Sequence, residues 1–173
     1  MPTILSHAAV PLAGALILGR NRLSLPVIVT GIVLAMLPDA DVIGFGFGIH
    51  YADAWGHRGA SHSLVFAAAA ALFATALLRP ERYGVAAVFL FLSMASHGLI
   101  DMLTNGGLGV ALFWPFAVAR HFAPVTPIAV SPIGISNFIS DRGIKVLYSE
   151  AIWIWIPLTL IAAAGFGIRK RTG

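Results

Sequence analysis

Five apolar segments alternate with short polar stretches along the chain. They cover residues 4–19, 25–37, 64–78, 83–103 and 151–168. A helix needs about 20 largely apolar residues to cross the hydrocarbon of a bilayer, so the first three segments are short for that purpose. The pattern predicts an all-α fold, an integral membrane helical bundle with about five transmembrane helices. We expect residues 1–173 to form a single domain.

The segment of residues 104–149, between the last two apolar runs, contains an NGG sequence, the sequence FWPF and several prolines. A structureless loop of this length is unusual in a compact domain. We therefore expect short helices or a re-entrant segment here, packed over the outer face of the bundle.

Composition supports a membrane protein. Hydrophobic residues make up 58% of the chain and charged residues only 10%, whereas soluble domains carry about a quarter charged residues. The net charge is +4, but the basic residues flank the apolar runs as membrane-flanking charges do, so no nucleic-acid partner is expected. The chain has no cysteine, which excludes disulfides and thiolate metal ligands.

The basic residues also predict an orientation, because positive charge collects on the cytoplasmic side. With alternating spans, seven basic residues fall on one side: Arg20, Arg22, Arg79, Arg82, Arg169, Lys170 and Arg171. The N-terminus is then outside and the C-terminus cytoplasmic. This arrangement brings the histidines and aspartates of four separate segments toward the outer face, which favours one shared site.

His97 and Asp101 lie four residues apart within the fourth apolar segment, and therefore on one face of a helix. An ionisable residue within a membrane segment is costly and indicates a functional site. A neutral imidazole and a carboxylate at this spacing can be two ligands of a divalent metal ion. The alternative is a hydrogen bond between them that tightens helix packing.

Asp39 and Asp41 belong to the sequence LPDADV, where Pro38 is expected to end the second helix. Alternate carboxylates suit oxygen-rich metal sites, but aspartates are also ordinary turn residues. We favour Asp39 as a ligand. Asp41 is interpreted as a second ligand, as a residue supporting the ligands, or as a general base.

The sequence HRGASHS contributes His57, Arg58 and His62, with Ser61 as the expected N-cap of the third helix. Arg58 could bind phosphate oxygens through two parallel hydrogen bonds. The alternative is a basic interfacial loop with solvated histidines. His7 is weak evidence alone, since a single histidine near a helix start is usually interfacial, but its predicted outer position adds it to the candidates.

An early histidine followed by LPDADV, HRGASHS and SHGLIDMLTNGG resembles a bacterial family, the YdjM-like, LexA-regulated, membrane-bound metal-dependent hydrolases. The resemblance runs from about His7 to Arg120. That family is remotely similar to the zinc-dependent phospholipase C and single-strand nuclease superfamily, whose helical bundles bind zinc through an H-x-x-x-D pair. No counterpart of the superfamily's H-x-x-x-E pair is present, which leaves the number of metal ions open.

The resemblance implies a bacterial inner-membrane location, phosphoester hydrolysis and one or two divalent metals, with zinc expected and manganese an alternative. It implies six metal ligands: His7, Asp39, His57, His62, His97 and Asp101. Arg58 and Arg120 would neutralise charge on the phosphate. The short second segment suggests a site just below the outer surface, which suits a lipid or lipid-linked phosphate as substrate.

Two other functions use the same residues. A transporter of metal ions or protons also places His and Asp within a membrane, but it should carry polar groups through the whole membrane depth. A structural membrane protein could use the metal only to clamp its helices. The sequence leaves the oligomeric state open.

Overall fold

The computed structural model describes residues 1–131 and 139–172, and in that part of the chain the architecture is helical, without named strands. The α-helices are α1 (Ile4–His7), α2 (Ala9–Leu18), α3 (Leu25–Met36), α4 (Leu64–Leu78), α5 (Tyr83–Met102), α6 (Asp141–Glu150) and α7 (Ile156–Thr172). Two 3₁₀ helices (Leu37–Phe47 and Ala60–His62) and a π-helical stretch (Ala151–Trp155) complete the fold. The predicted all-α class is confirmed.

Three helical stretches are long and apolar enough to cross a membrane: Leu25–Phe47, Tyr83–Met102 and Asp141–Arg171. Two further apolar stretches, Ile4–Leu18 and Leu64–Leu78, are shorter. Helix α3 ends at Met36, just before Pro38, as expected, but the helical stretch is longer than predicted because a 3₁₀ helix continues it to Phe47. Pro38 lies in the first turn of the following 3₁₀ helix, where its missing N–H is tolerated.

Helix α5 is the centre of the bundle and packs against α2, α3 and α4, while α2 also packs against α7. The main apolar core consists of Leu23, Val27, Leu34, Ala67, Ala71, Ala86, Phe89, Leu90, Met94 and Ala95. A Cβ atom at Gly31 would lie 2.5 Å from the Phe89 ring. The glycine therefore allows α3 to approach α5 closely at Phe89.

The expected N-cap of α4 was wrong by two residues. Ser63, not Ser61, caps this helix, with its Oγ accepting a hydrogen bond from the backbone N–H of Phe66 at 3.1 Å. The Ser61 hydroxyl instead donates to Asp41 at 2.8 Å. Ser61 therefore does not cap the helix and can support the site through Asp41.

The segment that follows α5 is irregular as far as it is described, up to residue 131. Backbone bridges join Thr104 to Ile128 and Val110 to His121, so the segment folds back against the end of α5. A short helix, α6, follows from residue 141 and leads into the last apolar helix. Residues 132–138 of the predicted outer segment lie outside the described residues.

Candidate metal centre

Four buried side chains from three elements meet at the ends of α3 and α5. Asp39, His62, His97 and Asp101 each offer a ligand atom, and these atoms all lie within 4.8 Å of one another. We call them the four-residue cluster. His7 adjoins it, with Nε2 3.6 Å from Asp101 Oδ1 and 3.9 Å from Asp39 Oδ2. Five of the six residues expected as ligands are thus brought together.

A glycine allows the segment that bears His62 to reach α5. A Cβ atom at Gly98 would lie 2.6 Å from the backbone carbonyl oxygen of His62, far inside normal contact. Only glycine permits this approach without a backbone shift. Because Gly98 follows His97 directly, the close contact sets the separation of the two imidazoles.

The two central histidines face each other through their Nε2 atoms. Nδ1 of His97 lies 2.7 Å from the carbonyl oxygen of Ala35, which can only accept, so this nitrogen carries the hydrogen. Nδ1 of His62 lies 3.0 Å from the Ser61 hydroxyl and 3.3 Å from Asp41. Burial lowers the pKa of His62, against the opposing hydrogen bond to Asp41, which favours the neutral imidazole. Nε2 of His62 and Nε2 of His97 lie 3.1 Å apart, within hydrogen-bond distance of each other.

The distances among the facing atoms suit ligands of one ion. His97 Nε2 is 3.3 Å from Asp39 Oδ1, and His62 Nε2 is 3.6 Å from Asp101 Oδ2. Donors at about 2.1 Å from a tetrahedral metal ion are about 3.4 Å from each other. These two separations match this edge length, whereas His62 Nε2 lies 3.9 Å from Asp39 Oδ1. The four side chains thus form a mixed nitrogen and oxygen donor set that could hold a divalent cation.

The charged groups of the cluster have no hydrogen-bond partners. Both carboxylate oxygens of Asp39 and Asp101 are buried and unsatisfied, as are both ring nitrogens of His7. An unpaired buried carboxylate is strongly unfavourable, and such groups normally coordinate a metal or bind a counter-charge. Arg58 supplies a positive charge, with Nε 2.9 Å from Asp101 Oδ2, and the N-terminal amine of Met1 is a second positive group close enough to act on Asp101. These unsatisfied acceptors fit a bound divalent cation.

Asp41 lies outside the four-residue cluster and contacts it through His62. Its Oδ1 lies 2.7 Å from His57 Nδ1, and its Oδ2 accepts hydrogen bonds from the Ser61 hydroxyl at 2.8 Å and the Arg58 backbone N–H at 3.2 Å. A separation of 2.7 Å is a hydrogen bond and is shorter than the spacing of two ligands on one ion. Asp41 therefore orients His57 and His62 in the manner of a carboxylate that supports metal-ligating histidines. The role of His57 as a ligand stays a prediction.

Arg58 has other partners than the phosphate expected for it. It is fully buried and adopts a left-handed backbone conformation, with φ of 64°. Nη1 donates to the Gly106 carbonyl and Nη2 to the Thr104 hydroxyl, each at 2.8 Å, while Nε faces Asp101. All three nitrogens are therefore engaged within the protein, and the guanidinium acts on the charge of Asp101.

Arg120 likewise binds protein groups. Nη1 donates to the carbonyl of His57 at 2.7 Å, and Nη2 donates to the carbonyls of Tyr51 and Asp53 at 2.9 and 3.0 Å. Its guanidinium also lies over the Tyr51 ring, 5.7 Å from the centroid. Arg120 thus fastens the loop that leads to His57, rather than facing the cluster.

The fold and the cluster define a class of protein: a helical membrane protein with a buried His/Asp group that could hold a metal ion. The model of the YdjM inner membrane protein family matches residues 1–172, and the chain belongs to this family. It is also 44% identical to the inner membrane protein YbcI of Escherichia coli (strain K12), over 93% of this chain and 95% of that protein. No solved structure gives a significant match. The predicted family resemblance is confirmed.

Proposed function

We propose that the four-residue cluster binds a divalent metal ion and that the protein is a membrane-embedded metal-dependent hydrolase acting on a phosphoester. The observation that carries the metal is that four buried ligand atoms, one from each of Asp39, His62, His97 and Asp101, lie within 4.8 Å of one another, while the carboxylates have no hydrogen-bond partner. Zinc suits this donor set best, and manganese is the alternative. The reaction class comes from the resemblance of LPDADV, HRGASHS and HGLID to the hydrolase family.

Each side chain has a distinct part in this proposal. Asp39, His62, His97 and Asp101 hold the ion, and His7 is the adjoining fifth donor. The ion, when bound, supplies Lewis acidity toward a phosphoryl group and makes water more acidic. His57 accepts the proton of the attacking water at Nε2, because its Nδ1 is held by Asp41. This assignment makes His57 the general base in place of Asp41, and it takes His57 out of the six ligands predicted from the sequence.

An apolar cavity beside the cluster supports a lipid or lipid-linked substrate. It has a volume of about 420 Å³, and Asp41 and Ser61 form part of its wall. The remaining wall is largely apolar and includes Leu37, Trp55 and Phe66. The cavity lies at the ends of α3 and α4, where a lipid could enter from the side. We propose that these helix ends lie at the outer face of the membrane, with the N-terminus outside.

A metal clamp is the second candidate, and the burial of the cluster favours it. The side chains of His7, His97 and Asp101 are all 0% exposed. Structural metal sites are closed, whereas catalytic sites keep a position open for water or substrate. For catalysis, the loop of residues 51–57, whose backbone carbonyls Arg120 binds, must therefore open.

Turnover by the purified full-length protein separates the two candidates. The zinc-loaded protein in detergent is incubated with phospholipids, polyprenyl phosphates and soluble phosphate esters, in parallel with His57→Ala. The hydrolase predicts release of phosphate or of a phosphorylated head group by the wild type and a loss of at least a hundredfold in His57→Ala at unchanged metal content. Full metal content with no turnover on any phosphoester would contradict the hydrolase and support the metal clamp.

A further inference from the structure

Glu150 is a buried carboxylate outside the cluster. It is 1% exposed and lies where α6 passes into the π-helical stretch. Its Oε1 accepts a hydrogen bond from the backbone N–H of Thr3 at 2.5 Å. Its Oε2 accepts from the hydroxyls of Thr3 and Ser6, each at 2.6 Å. Glu150 therefore ties the last long helix of the chain to its first short helix, α1.

Ser6 is the centre of this small network. Besides donating to Glu150, its Oγ accepts a hydrogen bond from Nε1 of Trp155 at 2.9 Å. The hydroxyl is thus held from two sides by residues on opposite ends of the π-helical stretch. Because Ser6 immediately precedes His7, this network determines where the backbone of His7 lies.

His7 needs such support because its ring has no hydrogen-bond partner. His62 and His97 are oriented through Nδ1 by Ser61, Asp41 and the carbonyl of Ala35. Neither ring nitrogen of His7 has an equivalent partner. Its imidazole is located by stacking on that of His97, with centroids 3.6 Å apart and planes 14° apart, and by its backbone.

We propose that Glu150 is a positioning residue for His7: through Ser6 it holds the imidazole at the distance from Asp39 and Asp101 at which Nε2 can join them on a cation. This inference rests on the metal of the proposed function and not on the hydrolysis. Carboxylates that fix metal-ligating histidines act through the ring; here the carboxylate acts on the residue before the histidine.

A double-mutant cycle tests the proposal, using zinc affinity of the full-length protein in detergent, measured by competition with a chromogenic chelator. Glu150→Gln keeps the shape, but its amide has only one acceptor oxygen for the three donors of Thr3 and Ser6. We expect about tenfold weaker zinc binding in Glu150→Gln, as for other residues that support ligands. In a His7→Ala background the same substitution should change the affinity less than twofold, because the residue it positions is gone.

Glu81→Gln is the matched control, since Glu81 is an exposed carboxylate just before α5, and it should not change the affinity. Equal losses in both backgrounds, or no loss in either, would overturn the positioning role while leaving the metal site intact. Absence of zinc from the wild type would overturn both this inference and the proposed function. If Glu150→Gln fails to fold, as judged by size-exclusion chromatography, Ser6→Ala enters the same cycle with the same expected outcome.

Discussion

Replacing Gly98 by alanine perturbs the site at its tightest backbone contact. The new Cβ atom would lie 2.6 Å from the carbonyl oxygen of His62 and 3.5 Å from Val110 Cγ1. Normal contact with a carbonyl oxygen begins at roughly 3.2 Å, so α5 and the segment bearing His62 must separate by about half an ångström. Alanine gains about 1 kcal/mol of helix propensity over glycine, whereas overpacking costs about 1–3 kcal/mol. The net loss of stability is therefore expected to be about 0–2 kcal/mol.

Metal binding should be weakened as well, because the shift separates His62 Nε2 from His97 Nε2, now 3.1 Å apart. We expect zinc affinity to fall by about a factor of ten or more in Gly98→Ala, by analogy with disturbed ligand support. The assays are chelator competition for zinc and thermal unfolding of the metal-free protein in detergent.

Gly84→Ala is the matched control on the same helix. A Cβ atom at Gly84 meets nothing within 4 Å, so alanine there should leave zinc affinity unchanged and stability equal or slightly higher. Unchanged zinc affinity in Gly98→Ala would refute the argument that this contact sets the spacing of the two imidazoles.

Three further predictions address the groups around the cluster. Asp41→Asn should weaken zinc binding by about tenfold, measured by chelator competition, because the amide nitrogen cannot accept a hydrogen bond; an unchanged affinity would show that Asp41 does not support the histidines. Arg58→Met should destabilise the metal-free protein by about 3–5 kcal/mol in denaturant unfolding, since the buried Asp101 loses the guanidinium that lies 2.9 Å from its Oδ2; a smaller loss than for Arg22→Met, at an exposed position, would contradict this. The lowered pKa of His62 makes the unfolded chain bind a proton below about pH 6.5 that the folded chain does not bind. The thermal midpoint of the metal-free protein should therefore fall between pH 7 and pH 5, and a His62→Gln variant should show a weaker dependence.

The helices were predictable where an apolar run ends at a polar residue with a clear local role. Helix α4 spans Leu64–Leu78, as predicted, because Ser63 caps its start and Arg79 ends it in a left-handed conformation. The second α-helix ends before Pro38 as predicted, but its continuation as a 3₁₀ helix to Phe47 was not predicted, because a proline that ends an α-helix can also stand in the first turn of a 3₁₀ helix. The first segment was expected as one helix, but it is divided at Ala8 into α1 and α2.

The sequence predicted which residues of the cluster lie together, but it did not predict the contacts that surround them. His97 and Asp101 share a helix face by spacing alone, and the same-face topology added His7, Asp39 and His62. The partners of Arg58 were not predictable, because they depend on how Thr104 and Gly106 fold back over the loop. Nothing in the local sequence indicates the contact of Glu150 with Ser6.

The metal content of the purified protein tests the central claim most directly. Wild type, His97→Ala, Asp101→Ala and His121→Ala are purified from zinc-supplemented cells and measured by elemental analysis, with His121 as a control histidine outside the cluster. We predict stoichiometric zinc or manganese in the wild type and in His121→Ala, and its loss from the other two variants. A wild-type protein without bound metal, or equal metal content in all four proteins, would contradict the account.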